Sequence, residues 1–399
     1  MRLRRTLAAL LVLLSVAATA HVAQAFLQPV SSPERVSAQV RWLNEQRAGD
    51  APERMQRLFP EGAFFTHLLT GLAAASTGDA DTVASALADS GAEAIRREFG
   101  EIPALDGGTF YRGWRLLLLA ERVRLTGDGR EALLAEAQTV QRALLSSPTG
   151  VPPSYPDGYW PCDAVVAMAA VVRAHRVAGV PMEEQRLSHW RTTIGIARDP
   201  GTGLLAHRIG PAGEVREGPR GSSQAIIQTF WPDVDAEGAG AQWQRFATTF
   251  VVREAGLVGV REYPAGDGTA GDVDSGPLLF GVSASASAVT LAAARRNGAV
   301  ELAADLDHQA EYLGIPLEWA GRRRFAFGLL PVGDAFVAWA RGVPVGDAGP
   351  GIKTPRPLWW AHAAVLLLPG LLAGTWLAAS RRRSGRNTRQ QVSGGGIGS

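Results

Sequence analysis

Two stretches of this 399-residue chain hold the side chains best suited to chemistry. Residues 151–163 set Tyr155, Asp157, Tyr159, Trp160, Cys162 and Asp163 among four prolines. Residues 261–277 carry Glu262, Tyr263, Asp272 and Asp274 on a glycine-rich loop that ends in Ser275, Gly276 and Pro277. Two carboxylates in different surroundings can divide acid–base work, one kept protonated by burial and the other ionised. Such a pair serves glycoside cleavage, an elimination or a hydration. The catalytic candidates are therefore Asp163, Asp272, Asp274, Glu262 and Cys162. Tyr155, Tyr159, Trp160 and Tyr263 offer flat faces for a sugar ring or an apolar ligand, with His207 and Trp231 as neighbours from the segment between the two loops. Each has a structural alternative. Asp163 and Asp272 stand where N-caps and turn aspartates belong, Cys162 is the kind of small residue that cores absorb, and the aromatics also serve to pack helix ends.

The elements that must position these groups are helices. Ser32-Pro33-Glu34 is an N-cap followed by proline in the first turn, and apolar residues then recur at helical spacing. Helical patterns follow one another at residues 64–75, 79–88, 92–99, 110–125, 130–145, 163–178, 181–196, 222–230, 241–254, 278–296, 301–312 and 325–340, joined by short Gly, Asp or Pro connections. The 163–178 pattern is apolar almost all round, as a helix buried on every side must be, whereas 181–196 is amphipathic. Strands are expected only within 199–208 and 257–263. Alternating buried and amphipathic helices without a fixed sequence period predict an all-α fold, an (α/α) toroid of helical hairpins over residues 26–341, with a helical-repeat solenoid as the alternative.

Both ends of the chain read as membrane segments. Arg2, Arg4 and Arg5 precede an apolar run that closes on Ala23-Gln24-Ala25, the pattern of a signal peptide cut after residue 25, or of an anchor left uncut. Residues 358–379 are an apolar run with Trp359 and Trp360 at one border and Arg381, Arg382 and Arg383 at the other. That is a transmembrane helix with an aromatic belt outside and positive charge inside. Residues 342–357 form its linker and 380–399 a basic cytoplasmic tail, which places the main domain on the extracytoplasmic side of the cell membrane. A formal charge of +2 concentrated at the ends leaves the body of the chain balanced, so nucleic acid is not an expected partner. The expected partners are a small-molecule or glycan ligand and, through the C-terminal helix, the membrane.

The single cysteine rules out an intrachain disulfide and any multi-cysteine zinc site, and the seven histidines show no metal-binding spacing. The chain carries no glycine-rich dinucleotide loop and no P-loop, so no cofactor is expected. The Asp272/Asp274 loop offers oxygens that suit calcium, without the spacing of a calcium-binding motif.

Tyr159-Trp160-Pro161-Cys162-Asp163 heading an apolar helix, followed far downstream by Gly271-Asp272-Val273-Asp274-Ser275-Gly276-Pro277, resembles the linalool dehydratase/isomerase-like domain family. The resemblance covers roughly residues 110–340. It implies an (α/α) toroid related in fold to six-hairpin glycosidases, and a loop whose two cysteines take part in dehydrating and isomerising a terpene alcohol. Cys162 stands at the second of those places, while the first falls near Pro153 and has no thiol. The resemblance assigns no role to Asp163, Asp272 or Asp274. Three functions are thus expected in turn: a carboxylate-dependent enzyme acting on a carbohydrate-like envelope molecule, a lyase or hydratase using Cys162 on an apolar alcohol, and a non-catalytic binding or scaffold module.

Overall fold

The computed structural model describes residues 2–29, 31–273, 275–347 and 358–393. Among them the chain is mostly helical, and it divides into two compact units. One comprises both apolar terminal helices with residues 255–257; the other comprises residues 31–254 and 258–347. In the first unit, α1 (Arg2–Leu27) packs along α16 (Trp359–Ser393). Each is long and apolar enough to cross a membrane. The helix expected to end at residue 379 runs on through much of the basic tail. Residues 348–357 of the expected linker and 394–399 of the tail lie outside the described residues.

The second unit begins with α2 (Pro33–Arg47), α3 (Ala51–Gln56), α4 (Gly62–Ser76), α5 (Ala80–Asp89) and α6 (Glu93–Arg96). The Ser32 hydroxyl caps α2 by accepting from the Arg35 N–H, and Asp79 caps α5 at Thr82, as the sequence pattern requires. There follow α7 (Gly108–Thr126), α8 (Arg130–Ser146), α9 (Pro161–Ala178), α10 (Glu184–Ile194), α11 (Gly221–Val234), α12 (Ala239–Phe250), α13 (Ala284–Arg296), α14 (Val300–Gly314) and α15 (Pro331–Gly342).

Helix α4 is buried at every position before its last residue, because its aromatic, leucine and alanine residues leave no polar face. It lies against α7, α7 against α9, α9 against α11, α11 against α13, α13 against α15, and α15 back against α4. More polar helices pack on these: α2 on α4 and α15, α5 on α4 and α7, α8 on α7 and α9, α12 on α11, and α14 on α13. Aromatic rings join the inner set. Trp114 of α7 meets Phe65 of α4 at 5.4 Å, Phe230 of α11 at 5.4 Å and Trp339 of α15 at 5.7 Å, all edge to face.

Among the described residues eight short strands accompany the helices, one of them within the stretch 257–263 where a strand is expected. β1 (Arg208–Ile209) and β2 (Val215–Glu217) form a hairpin, as do β7 (Leu317–Trp319) and β8 (Arg322–Arg324). β3 (Val251–Glu254), β4 (Leu257–Arg261), β5 (Leu278–Leu279) and β6 (Val282–Ser283) form a sheet in the order β3-β4-β6-β5. Helix boundaries move accordingly: the helix expected to run to residue 254 ends at Phe250, immediately before β3. The helix expected from residue 278 starts at Ala284, because residues 278–283 are drawn into the sheet, and that expected from residue 325 starts at Pro331. Helix α11 continues through Trp231 and Pro232 to Val234 instead of ending before them.

A buried ionic network closes the chain's last elements on α2. The Arg341 guanidinium donates to Asp307 Oδ1, Glu311 Oε1 and Gln39 Oε1, and Arg323 donates to Glu311 and to Glu318. Arg341 is fully buried, so these partners replace the water it has lost.

Candidate functional site

The glycine-rich loop and the start of α11 meet at one guanidinium. Arg220 is the N-cap residue of α11, in extended conformation, and its side chain is 3% exposed. A cation at a helix N-terminus is electrostatically unfavourable unless carboxylates compensate. Here three do. Nε donates to Glu262 Oε1 at 2.7 Å, and Nη1 and Nη2 each reach one oxygen of Asp272 at 2.7 Å. Glu217, at the end of β2, approaches Nη1 at 3.3 Å. The Tyr263 ring lies 5.2 Å from the guanidinium carbon. Burial works against the charge on Arg220, but hydrogen bonds and charge from Asp272 and Glu262 outweigh it and raise its pKa.

Local backbone geometry fixes this convergence. The Gly221 N–H donates to the Glu262 carbonyl at 2.8 Å, and a Cβ at Gly221 would stand 1.9 Å from the Arg261 carbonyl oxygen, so glycine is required there. Glu262 leaves the end of β4, and its N–H donates to the Gly281 carbonyl at 3.1 Å. The Asp272 loop closes on itself through Asp272 N–H to Ser275 Oγ at 2.9 Å and Ser275 N–H to Asp272 Oδ1 at 3.2 Å. Ser283 then accepts from the Ala286 N–H and caps α13. Ser275 and Asp272 therefore do not cap that helix. Asp272 is a turn aspartate that also binds Arg220.

Glu262 is fully buried. Its Oε1 accepts from Arg220 and from Ser222 Oγ at 2.6 Å, while its Oε2 has no hydrogen-bond partner among the described residues. His207 lies beside the same cluster, with Nε2 3.8 Å from Glu217 Oε2 and Nδ1 without a hydrogen-bond partner among the described residues. Burial, followed by the positive charge of Arg220, pushes the His207 pKa down to about 3, so the ring is neutral.

The 151–163 loop reaches this neighbourhood through the β1–β2 hairpin. The Ile209 N–H donates to the Tyr159 carbonyl at 3.1 Å, and Arg208 sits 5.5 Å from the Trp160 ring centre. Trp160, not Asp163, is the N-cap residue of α9. Asp163 is buried in the first turn of α9, where the Cys162 thiol donates to its Oδ1 at 3.5 Å. Tyr155 packs among Phe99, Phe110 and Trp160, and its hydroxyl donates to Glu61. Asp157 is exposed at the tip of a turn with a left-handed φ of 58°. Trp231 belongs elsewhere: it is buried about 15 Å along α11 from that helix's start, with Arg198 over its ring.

The structure thus gathers Glu262, Asp272, Tyr263 and His207, but around Arg220, Glu217 and Ser222, which the sequence reading passed over. The available signal was a lone arginine between Pro219 and Gly221 at the start of a helix. Asp274 lies outside the described residues. Among the described residues no cluster of three His, Cys, Asp or Glu side chains could hold a metal ion, and Asp272 directs both oxygens of the suggested calcium loop to Arg220. The chain matches no family model and no curated protein.

Proposed function

We propose that the chain is a membrane-tethered (α/α) toroid on the extracytoplasmic side, with a carboxylate-dependent catalytic site around Glu262 for a hydroxyl-rich, carbohydrate-like envelope molecule. The run of neighbours from α4 round to α15 and back to α4, each with a more polar companion, supports the toroid. In such a ring the inner helices run the same way, so the starts of α9, α11 and α13 gather at one end. Arginines flanking both apolar helices support the sidedness.

The observation that carries the functional reading is the buried, unpartnered Oε2 of Glu262. A buried carboxylate oxygen without a donor is costly, and a ligand hydroxyl supplies that donor. Arg220 and Ser222 both donate to Oε1, which leaves Oε2 as the oxygen placed to accept a hydroxyl proton as a general base. Glu217, Glu262 and Asp272 outnumber Arg220, and neutral His207 adds no positive charge, so the site favours neutral or cationic ligands over anions. Asp163 on the neighbouring helix α9 is the second carboxylate of this reading.

The test is incubation of the detergent-solubilised full chain with glycan fragments of a bacterial envelope, read by mass spectrometry. Conversion by the wild type that falls at least about 100-fold in Glu262→Gln, with unchanged melting temperature, supports the proposal. Undiminished conversion in that variant overturns it. Binding without conversion on long incubation favours the binding-module reading. The contact between the Cys162 thiol and Asp163 supports a second reading, the lyase or hydratase acting on an apolar alcohol. That reading requires inactivation by thiol alkylation, and full activity after complete alkylation removes it.

A further inference from the structure

Both apolar helices carry a surface matched to the other. On α16, Gly370 and Gly374 are one turn apart, a spacing that lets two membrane helices approach closely. Helix α1 is seated there. A Cβ at Gly370 would lie 2.6 Å from Ser15 Cβ, and one at Gly374 would lie 4.0 Å from Val12. Ser15 and Ala373 are both buried within a pair of helices whose other faces are largely exposed apolar side chains.

Contacts hold one register along the pair. Near the basic end, Arg5 Nη2 donates to the Ser380 carbonyl at 3.3 Å. Near the middle, Thr19 Oγ1 is 3.5 Å from the Ala363 carbonyl. At the far end the Phe26 and Trp359 rings stack with centroids 6.2 Å apart. The bond between Ala25 and Phe26, where a signal peptide would be cut, lies inside α1, two residues before its end. Ala25 is 5% exposed and Val22 is fully buried. A cut at this bond would remove Ser15 and Thr19, and with them their contacts to α16.

We infer that residues 2–27 remain in the mature protein as a permanent transmembrane helix, with Ser15 seated on the Gly370/Gly374 face of α16, so that the chain is anchored by a two-helix hairpin with both basic ends on one side of the membrane. This goes beyond the proposed enzyme and stands without it, because it rests only on the terminal helices.

The test uses the full-length chain purified from bacterial membranes through a C-terminal tag. Intact-mass measurement is expected to find residues 2–25 present, and a chain beginning at Phe26 overturns the inference. Val12→Cys combined with Gly374→Cys is then oxidised in membranes beside each single variant. An intramolecular cross-link, mapped by peptide mass and reduced at least about five-fold by adding Gly370→Leu, supports the pairing. Absence of that cross-link in a retained chain, or a cross-link only between two chains, overturns it.

Discussion

Arg220 donates from Nε to Glu262 Oε1 at 2.7 Å with both side chains shut off from solvent. The pair joins the N-terminus of α11 to the end of β4, and Asp272 and Glu217 add their carboxylates to the same guanidinium. Removing the cation alone leaves Glu262 buried without its ion-pair partner. Arg220→Ala is therefore expected to cost about 3–5 kcal/mol, whereas Glu262→Gln, which keeps an acceptor for Arg220, should cost far less. Urea unfolding of the detergent-solubilised chain, followed by circular dichroism, measures both. Equal losses would show that the charge pairing is not what holds the loops.

Gly221 sets the distance between that pair's two backbones. Gly221→Ala forces a Cβ against the Arg261 carbonyl and should lower stability by about 1–3 kcal/mol through overpacking. Any activity should fall with it, since α11 carries Arg220 and Ser222 away from Glu262. A melting temperature within one degree of the wild type would contradict this account.

His207 makes the fold sensitive to acid. Its folded pKa of about 3 lies below the ordinary imidazole value of 6.5, so between those values the unfolded chain binds a proton that the folded chain refuses. Its contribution is fully present above about pH 6.5 and declines as pH falls toward 3, by up to about 1.4 kcal/mol per pH unit. Replacing His207 by Gln should flatten the stability profile in that window, as measured by melting temperatures at pH 7, 6, 5 and 4.

Asp334, on the first turns of α15, behaves in the opposite sense. Burial raises its pKa to about 7, against the opposing influence of the Phe325 N–H, Gln39, Arg341 and Arg323. The unfolded carboxyl ionises near 3.8 while the folded one keeps its proton, so stability falls as pH rises from about 4 to 7 and then levels. Asp334→Asn preserves the acceptor for the Phe325 N–H and removes this penalty. It should raise the melting temperature at pH 8, with a gain on the order of 1–3 kcal/mol, and change little at pH 4.

Local chemistry made much of the architecture legible. Ser32 and Asp79 cap their helices, Glu262 and Asp272 come together from one loop, and both apolar helices stand where hydropathy places them. Such features depend on residues a few positions apart, or on the run length needed to cross a bilayer. What sequence proximity could not supply was the partner of each charge. Asp272 reads equally well as a cap, a calcium ligand or a base until Arg220, 52 positions away, takes both its oxygens. The start of α13 likewise moves to Ala284, because backbone pairing between β4 and β6 across more than twenty residues overrides a local helical pattern. Composition and periodicity determined that this chain builds buried and amphipathic helices between two helices long and apolar enough to cross a membrane. Only the tertiary structure decided which carboxylates share a cation and which carboxylate oxygen has no partner among the described residues, because burial and long-range pairing set the energy of a charge.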